Sequence, residues 1–229
     1  MTVGTTSSRP YVLYSYWRSS AAYRVRIALE LKGLAYELRA VHLVKDGGEQ
    51  LHDDYRAKNP LAELPTLEIP DGDGVVYLAQ SVAILEYLEE VHPEVRLLPK
   101  SALDRARVRQ LVEVVNSGLH PLQNLKVNKH LSASFGTDQA ANEAWNRHWI
   151  SRGFDGLEIL VARYGGPYAF GDRPTLADCA VVPQMYNARR YGLELSRWPA
   201  LARVWEHANA LEAFQRAAPE AQPDAPAPA

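Results

Sequence analysis

The chain has 229 residues, of which 47% are hydrophobic, and its 25 basic and 27 acidic side chains give a net charge of −2. This balance provides no positive field for nucleic acid, and no apolar run approaches the ~20 residues of a membrane span. Because Cys179 is the single cysteine and residues 1–10 lack an apolar signal core, we expect a cytoplasmic protein without an internal disulfide.

The chain begins with a strand-helix-strand pattern. Short connections between these elements predict a parallel strand pair with a right-handed crossover. The predicted elements are a flexible lead-in over residues 1–10, strands over Tyr11–Tyr14 and Tyr36–Val41, and a helix over Ser20–Lys32 that Gly33 ends.

A polar loop, a hairpin and a second helix come next. Pro65 precedes the hairpin, and an X-Pro bond is the one peptide bond that adopts the cis form at low cost, although trans is commoner. The predicted elements are a loop over residues 42–59 with a short helix over Asp53–Lys58, strands over Thr66–Ile69 and Val75–Leu78, and a helix over Gln80–His92 that Ser81 can cap.

Helical periodicity alone marks the second half. Thr175 and Asp178 have the spacing of a capping box. The predicted helices are Ala102–Ser117, either ending there or continuing past Pro121 to about Leu131, then Asp138–Tyr164, Thr175–Tyr191, and one or two over Pro199–Ala217. We therefore predict an α/β domain over residues 11–92, an all-α domain over residues 101–217, and a Pro/Ala-rich, extended or mobile tail over residues 218–229.

Two serines at the start of the first helix indicate a site for an anion. Ser19 and Ser20 follow a buried strand, where backbone N–H groups and hydroxyls converge. The positive end of the helix dipole favours an anion such as a thiolate. The alternative is that one serine serves only as the N-cap.

The ordered motifs of the chain resemble those of one enzyme family. They are Y-S-Y-W-R-S-S, R-V-R-I-A-L-E-L-K-G, K-D-G-G-E-Q, N-P-L-A-E-L-P-T-L, Q-S-V-A-I-L-E-Y-L-E-E, H-P-L-Q-N, G-D-R-P-T-L-A-D and V-P-Q-M-Y-N-A-R-R-Y. Together they resemble the cytosolic glutathione transferases, most closely the zeta class with its maleylacetoacetate and maleylpyruvate isomerases. The resemblance covers roughly residues 11–225 and implies a thioredoxin-like domain followed by a helical domain, glutathione as cofactor, and a homodimer.

The resemblance also implies the roles of particular residues. Ser19 and Ser20 would activate the glutathione sulfur, and the substrate would be held by Arg18 and Arg190. The residues implied in glutathione binding are Gln50, Leu64, Pro65 as a cis-proline, Gln80, Ser81, His120 and Asn124. The alternatives are ordinary ones: ion pairs for the arginines, caps for Gln80 and Ser81, loop surface for Gln50, and a helix kink for His120.

Neighbouring basic residues are weaker candidates. Arg189 is adjacent to Arg190, although the motif favours Arg190, and Lys126 is a further candidate for substrate charge. Arg24 and Arg26 are predicted to be structural, with one of them bracing the first helix and the loop. The seven histidines show no metal-ligand spacing, so no metal is expected.

One departure from the zeta pattern constrains the chemistry. Zeta members commonly have Ser-Ser-Cys, whereas this chain has Ala21 after the serines, and Cys179 is expected to be buried elsewhere. The nucleophile would be glutathione, whose thiolate adds to the cis double bond of a maleyl-type keto acid and leaves after rotation. The alternatives are a transferase that conjugates an electrophile, and a non-catalytic binding protein with the same fold.

Overall fold

The computed structural model describes residues 9–227, and they form two compact units. The first unit runs to Val95 and takes up the chain again from Ala213, and the second is Arg96–Glu212. Residues 1–8, most of the predicted lead-in, and the last two residues of the predicted tail lie outside the described residues. No helix within residues 9–227 is both long and apolar enough to cross a membrane.

A four-stranded sheet in the order β2-β1-β3-β4 forms the centre of the first unit. The predicted parallel pairing of β1 with β2 is confirmed, and β3 runs antiparallel to both β1 and β4. The strands are β1 Tyr11–Ser15, β2 Tyr36–Ala40, β3 Thr66–Asp71 and β4 Gly74–Ala79. Each lies within two residues of its predicted bounds, because apolar runs or alternating patterns mark the strands in the sequence, and the turn at residues 72–73 separates β3 from β4.

Two main helices pack in the first unit. Helix α1, Ser20–Lys32, buries Val25, Ile27 and Leu29, and it ends at Gly33, whose φ of 66° is the left-handed conformation of a helix C-cap. The second main helix is α3, Ser81–Val91, and a short helix, α2, covers Asp53–Arg56. The last residue of α1 is tied to α3, since the buried Lys32 ammonium donates to Glu89 at 2.9 Å.

The second unit is helical, as predicted. Its α-helices are α4 Ala102–Glu113, α5 Leu125–Phe135, α6 Gln139–Tyr164, α7 Leu176–Arg190, α8 Pro199–Asn209 and α9 Glu212–Ala217, the last of which crosses into the first unit. Thr175 and Asp178 form the predicted capping box at the start of α7. The predicted continuation of α4 past Pro121 is wrong, because a π-helical turn over Val114–Leu119 and a 3-10 turn over His120–Gln123 interrupt it. Pro121 has no N–H to continue the helix, and Asn124 caps a new one.

The C-terminal segment differs from the predicted domain division. The sequence predicts residues 213–217 in the helical domain and residues 218–229 as a separate tail, but the structure assigns the chain from Ala213 to the first unit. Phe214 and Ala217 are fully buried there, and Arg216 pairs with Glu30 of α1 at 2.7 Å. Burial of these side chains outweighs the low core-forming tendency of the Pro/Ala-rich composition that follows.

Candidate functional site

The loops that carry the predicted residues of the first unit meet at one edge of the sheet. The register pairs Tyr14 of β1 with Thr66 of β3, and Thr66 with Ala79 of β4. The chain therefore leaves β1, enters β3 and leaves β4 at the same edge. β2 also ends there, since Ala40 pairs with Ser15. Three connecting segments with predicted glutathione contacts consequently begin or end at this edge: the one after β1, the one between β2 and β3, and the one after β4.

Ser19 forms the N-cap of α1. Its Oγ accepts a hydrogen bond from the Ala22 N–H at 3.2 Å, and its own N–H donates to Tyr16 O at 2.9 Å. The capping role raised as an alternative is thus present. A hydroxyl that accepts from a backbone N–H keeps its own proton as a donor, so capping is compatible with hydrogen bonding to a thiolate. Ser20 is the first residue of the helix, at the positive end of its dipole.

Leu64 and Pro65 form the entry to β3. The peptide bond between them is cis, as the resemblance implies, and Pro65 is buried. The preceding carbonyl of Glu63 accepts hydrogen bonds from the Tyr55 hydroxyl at 2.6 Å and from Asn59 Nδ2 at 2.8 Å. The backbone that leads to Leu64 is therefore held in place by side chains from helix α2 and the turn that follows it.

Gln80 and Ser81 stand at the start of α3, but neither caps it with a side-chain hydrogen bond. Gln80 is the N-cap and lies outside the helix, contrary to the predicted bounds, and its φ of 70° is rare for a residue other than glycine. Such backbone strain is typical of ligand sites. The predicted capping by Ser81 is wrong, because its buried Oγ accepts from Arg24 Nη1 at 3.1 Å instead. Arg24, which the sequence predicts to be structural, is fully buried and contacts α3 through this bond.

Gln50 is buried in the loop after β2. Only 7% of its surface is exposed, and its Oε1 has no hydrogen-bond partner among residues 9–227. The loop is ordered by His42, whose Nδ1 accepts from the N–H groups of Val44 and Lys45 at 3.2 and 2.9 Å. A buried amide oxygen without a partner carries a free-energy cost that a bound donor would relieve.

The predicted residues of the second unit lie in a connected set of polar side chains. His120 Nε2 and Asn124 Nδ2 are 3.5 Å apart at the turn between α4 and α5. Arg190 Nη1 donates to Asn187 Oδ1 at 2.9 Å, and Asn187 Nδ2 donates to Gln123 Oε1 at 2.6 Å. The structure therefore connects Arg190 to the turn that carries His120 and Asn124.

Gln123, Gln184 and Asn187 were not among the predicted site residues. Gln123 Nε2 donates to Gln184 Oε1 at 2.6 Å, and all three side chains are at least nine-tenths buried. We name this set the amide network. Its sequence signal is the amide residues within H-P-L-Q-N and V-P-Q-M-Y-N, which lie beside the predicted His120 and Arg190.

The two candidate arginines of the second unit have different surroundings. The Arg189 guanidinium lies 5.0 Å from the Trp205 ring centroid, in the geometry of a cation–π contact. Arg190 instead contacts the amide network. In the first unit, Arg18 is exposed and its guanidinium lies 5.6 Å from the Trp17 ring centroid.

The residue after the two serines carries no thiol, and the described part of the chain has no metal cluster. Ala21 is buried directly after the serines, and the single cysteine, Cys179, is buried in α7 of the second unit, as predicted. Within residues 9–227, no group of three or more His, Cys, Asp or Glu side chains is arranged to hold a metal ion.

Comparison with known proteins identifies the class of this fold and site. The family model of the glutathione S-transferase N-terminal domain matches residues 18–91, and that of the C-terminal domain matches residues 143–216. A probable maleylacetoacetate isomerase of Vibrio cholerae is 46% identical over 93% of this chain and 98% of its own length.

Two solved structures are similar in both sequence and fold. Maleylacetoacetate isomerase from Anaeromyxobacter dehalogenans 2CP-1, with GSH bound in its active site, has a TM-score of 0.86 and 50% identity and covers 95% of this chain and 98% of its own. The holo structure of maleylpyruvate isomerase, a bacterial zeta-class glutathione S-transferase, has a TM-score of 0.87 and 46% identity, with coverages of 94% and 100%. The chain belongs to the glutathione S-transferase family, in the zeta class with these isomerases.

Proposed function

We propose that this protein is a glutathione-dependent isomerase that converts the cis double bond of a maleyl-type keto acid to the trans form. The observation that supports the proposal is the single sheet edge at which the segments carrying Ser19, Leu64 and the Gln80–Ser81 pair join the strands. The names of the relatives, maleylacetoacetate and maleylpyruvate isomerase, support the same substrate class.

Several residues of the first unit fit glutathione. The unpartnered Oε1 of Gln50 is an acceptor for an N–H of the tripeptide, and the strained Gln80 and the buried Ser81 stand at a helix N-terminus suited to a carboxylate. The braced backbone at Leu64 and Pro65 suits pairing with an extended peptide. His120 and Asn124 are proposed as further glutathione contacts.

The serines would set the reactivity of the sulfur. Bound glutathione supplies a thiolate that adds reversibly to the substrate double bond, which can then rotate as a single bond. Ser19 Oγ would donate its proton in a hydrogen bond to the thiolate, and Ser20 would contribute from the first helical turn. Both act by stabilising negative charge at sulfur, and Ala21 adds no nucleophile of its own.

The keto acid carries carboxylates, and we propose that Arg18 and Arg190 bind it. A planar guanidinium suits bidentate binding of a carboxylate. The side chain of Asn187 restrains the Arg190 guanidinium by accepting from Nη1, which reduces the ordering that substrate binding requires.

The test is to mix the protein with glutathione and maleylpyruvate or maleylacetoacetate, and to follow the ultraviolet spectrum and the free thiol together. We expect the trans isomer to form at a constant thiol concentration. Stoichiometric consumption of thiol would identify a conjugating transferase. Glutathione binding without either reaction would identify a non-catalytic binding protein. Reactions without protein provide the baseline.

We further propose a homodimer in the cytoplasm. Val75, Val76 and Tyr77 lie on the edge strand β4 with 39%, 45% and 38% of their surfaces exposed, and an apolar edge of this kind favours a protein partner. The single buried cysteine fits a reducing compartment. Light scattering coupled to size-exclusion chromatography measures the oligomeric state, and a molar mass near one chain's 25.6 kDa would contradict the dimer.

A further inference from the structure

The loop that carries the two serines is held from both sides at one residue. We call residues Tyr16–Ser20 the serine loop. The Trp17 N–H donates to Asp224 Oδ2 at 2.9 Å, and the Trp17 carbonyl accepts from Arg26 Nη2 at 3.0 Å. Both peptide groups that flank the Trp17 Cα therefore have a charged partner, two residues before Ser19. Hydrogen bonds to charged groups are stronger than those between neutral groups.

Arg26 is one of the two anchors. Its side chain is fully buried, and Nη1 donates to Ser15 Oγ at 3.0 Å. Its Nε donates to the carbonyl of Ala217 at 2.9 Å. A single guanidinium thus connects the end of β1, the serine loop and the end of α9, which confirms that one of the two arginines braces the loop.

Asp224 is the other anchor, and the chain before it is also held. Gln222 is buried and its Nε2 donates to the carbonyls of Arg216 and Ala218 at 2.9 and 2.8 Å. The Ala225 N–H donates to Gln222 O at 3.0 Å, which closes a turn around Asp224. We call Gln222–Ala225 the C-terminal turn. A turn held in this way presents its carboxylate at a defined position, although the surrounding sequence is rich in Pro and Ala.

We propose that the C-terminal turn is a positioning element of the serine loop and that Asp224 is its positioning residue. This inference rests on the proposed function. A hydroxyl that stabilises a thiolate must be placed to within about half an ångström, and neighbouring hydrogen bonds supply such placement. Without Asp224, the Trp17 N–H loses its acceptor, and the serine loop keeps only the bond from Arg26 to the Trp17 carbonyl and the loop's own bond from the Ser19 N–H to Tyr16 O.

Two substitutions and two truncations test the proposal. Asp224→Ala removes the acceptor, whereas Asp224→Asn keeps an acceptor oxygen and should retain most of the effect. A chain ending at Ala221 lacks the whole turn, and a chain ending at Ala225 is the matched control because it keeps the contact. Thermal unfolding establishes that each variant folds.

The first measurement is hydrogen exchange of the Trp17 amide, which requires no ligand. We expect exchange to rise about tenfold or more in Asp224→Ala and in the chain ending at Ala221, and to stay near the full-length value in the chain ending at Ala225. The second is the pKa of the bound glutathione thiol, followed by thiolate absorbance. We expect it to rise in the first two variants, with kcat near neutral pH falling about three- to tenfold.

Unchanged exchange at Trp17 in the chain ending at Ala221 would overturn the proposal. Faster exchange with an unaltered thiol pKa and kcat would also overturn it, since the turn would then be structural only. Failure of the proposed function looks different, because the full-length chain itself would neither bind glutathione nor isomerise the keto acid.

Discussion

Replacement of Ser19 by alanine separates the two roles that its position allows. The variant loses the cap on the Ala22 N–H, which costs about 0.5–2 kcal/mol of stability. It also loses the proposed hydroxyl donor to the thiolate, a bond to a charged group of about 1.5–3 kcal/mol. Since one pKa unit corresponds to about 1.4 kcal/mol, the thiol pKa of bound glutathione should rise by about one to two units.

Turnover near neutral pH should therefore fall about tenfold to a hundredfold. Titration of thiolate absorbance in the glutathione complex measures the pKa, and chemical denaturation measures stability. Ser101→Ala is the matched control, because Ser101 caps α4 through the Asp104 N–H at 3.4 Å and lies in the second unit. Ser101→Ala should lose stability without changing the thiol pKa. If Ser19→Ala behaves in the same way, then Ser19 is only a cap, and Ser20 or the backbone amides lower the thiol pKa.

Arg190→Ala should raise the KM for the keto acid about tenfold to a hundredfold and leave the glutathione dissociation constant unchanged. The control variant Arg189→Ala should change neither quantity. Loss of glutathione affinity in Arg190→Ala would refute the assignment of Arg190 to the substrate. Asn187→Ala removes an acceptor from Arg190 and should raise the same KM a fewfold, and an unchanged KM would show that this contact does not orient the guanidinium. Burial raises the pKa of the Asp178 carboxyl from 3.8 to about 6. Between these two pH values the folded state holds a proton on Asp178 that the unfolded state has released. The free energy of unfolding of the wild type should therefore fall, by up to about 3 kcal/mol, as pH rises from about 4 to about 6. Asp178→Asn has no carboxyl to titrate at this position. The difference in free energy of unfolding between wild type and variant, measured with urea, should therefore shrink from about pH 4 to about pH 6. A difference that stays constant over this pH range would contradict the prediction.

Local chemistry explains which elements were predictable. The bounds of α1 agree with the sequence because Ser19 and Gly33 mark its ends, and the capping box of Thr175 and Asp178 marks the start of α7 in the same way. The interruption of α4 was not predicted. Apolar periodicity continues through residues 114–131, and the π-helical and 3-10 turns depend on how the backbone accommodates Pro121.

The residues of the candidate site were also predictable only where a local motif marks them. Family motifs mark Ser19, Gln50 and Arg190, but the strained φ of Gln80 and the contact of Ser81 with Arg24 depend on how α1 and α3 pack. The amide network was not predicted because its members lie far apart in sequence; Gln123 and Asn187, for example, are 64 residues apart. No local pattern predicts such a pair, since its hydrogen bond forms only after the helices have packed.

The sequence by itself determined the strand and helix order, the two-part organisation, the family, and the absence of a thiol at Ala21, because caps, periodicity and motifs are written in neighbouring residues. Only the tertiary structure decided the course of the C-terminal segment. Its Pro/Ala-rich composition predicts an extended tail, yet Asp224 meets Trp17 across 207 positions of sequence. A contact of this kind depends on chain topology and on burial of Phe214 and Gln222, and neither is encoded in the local composition.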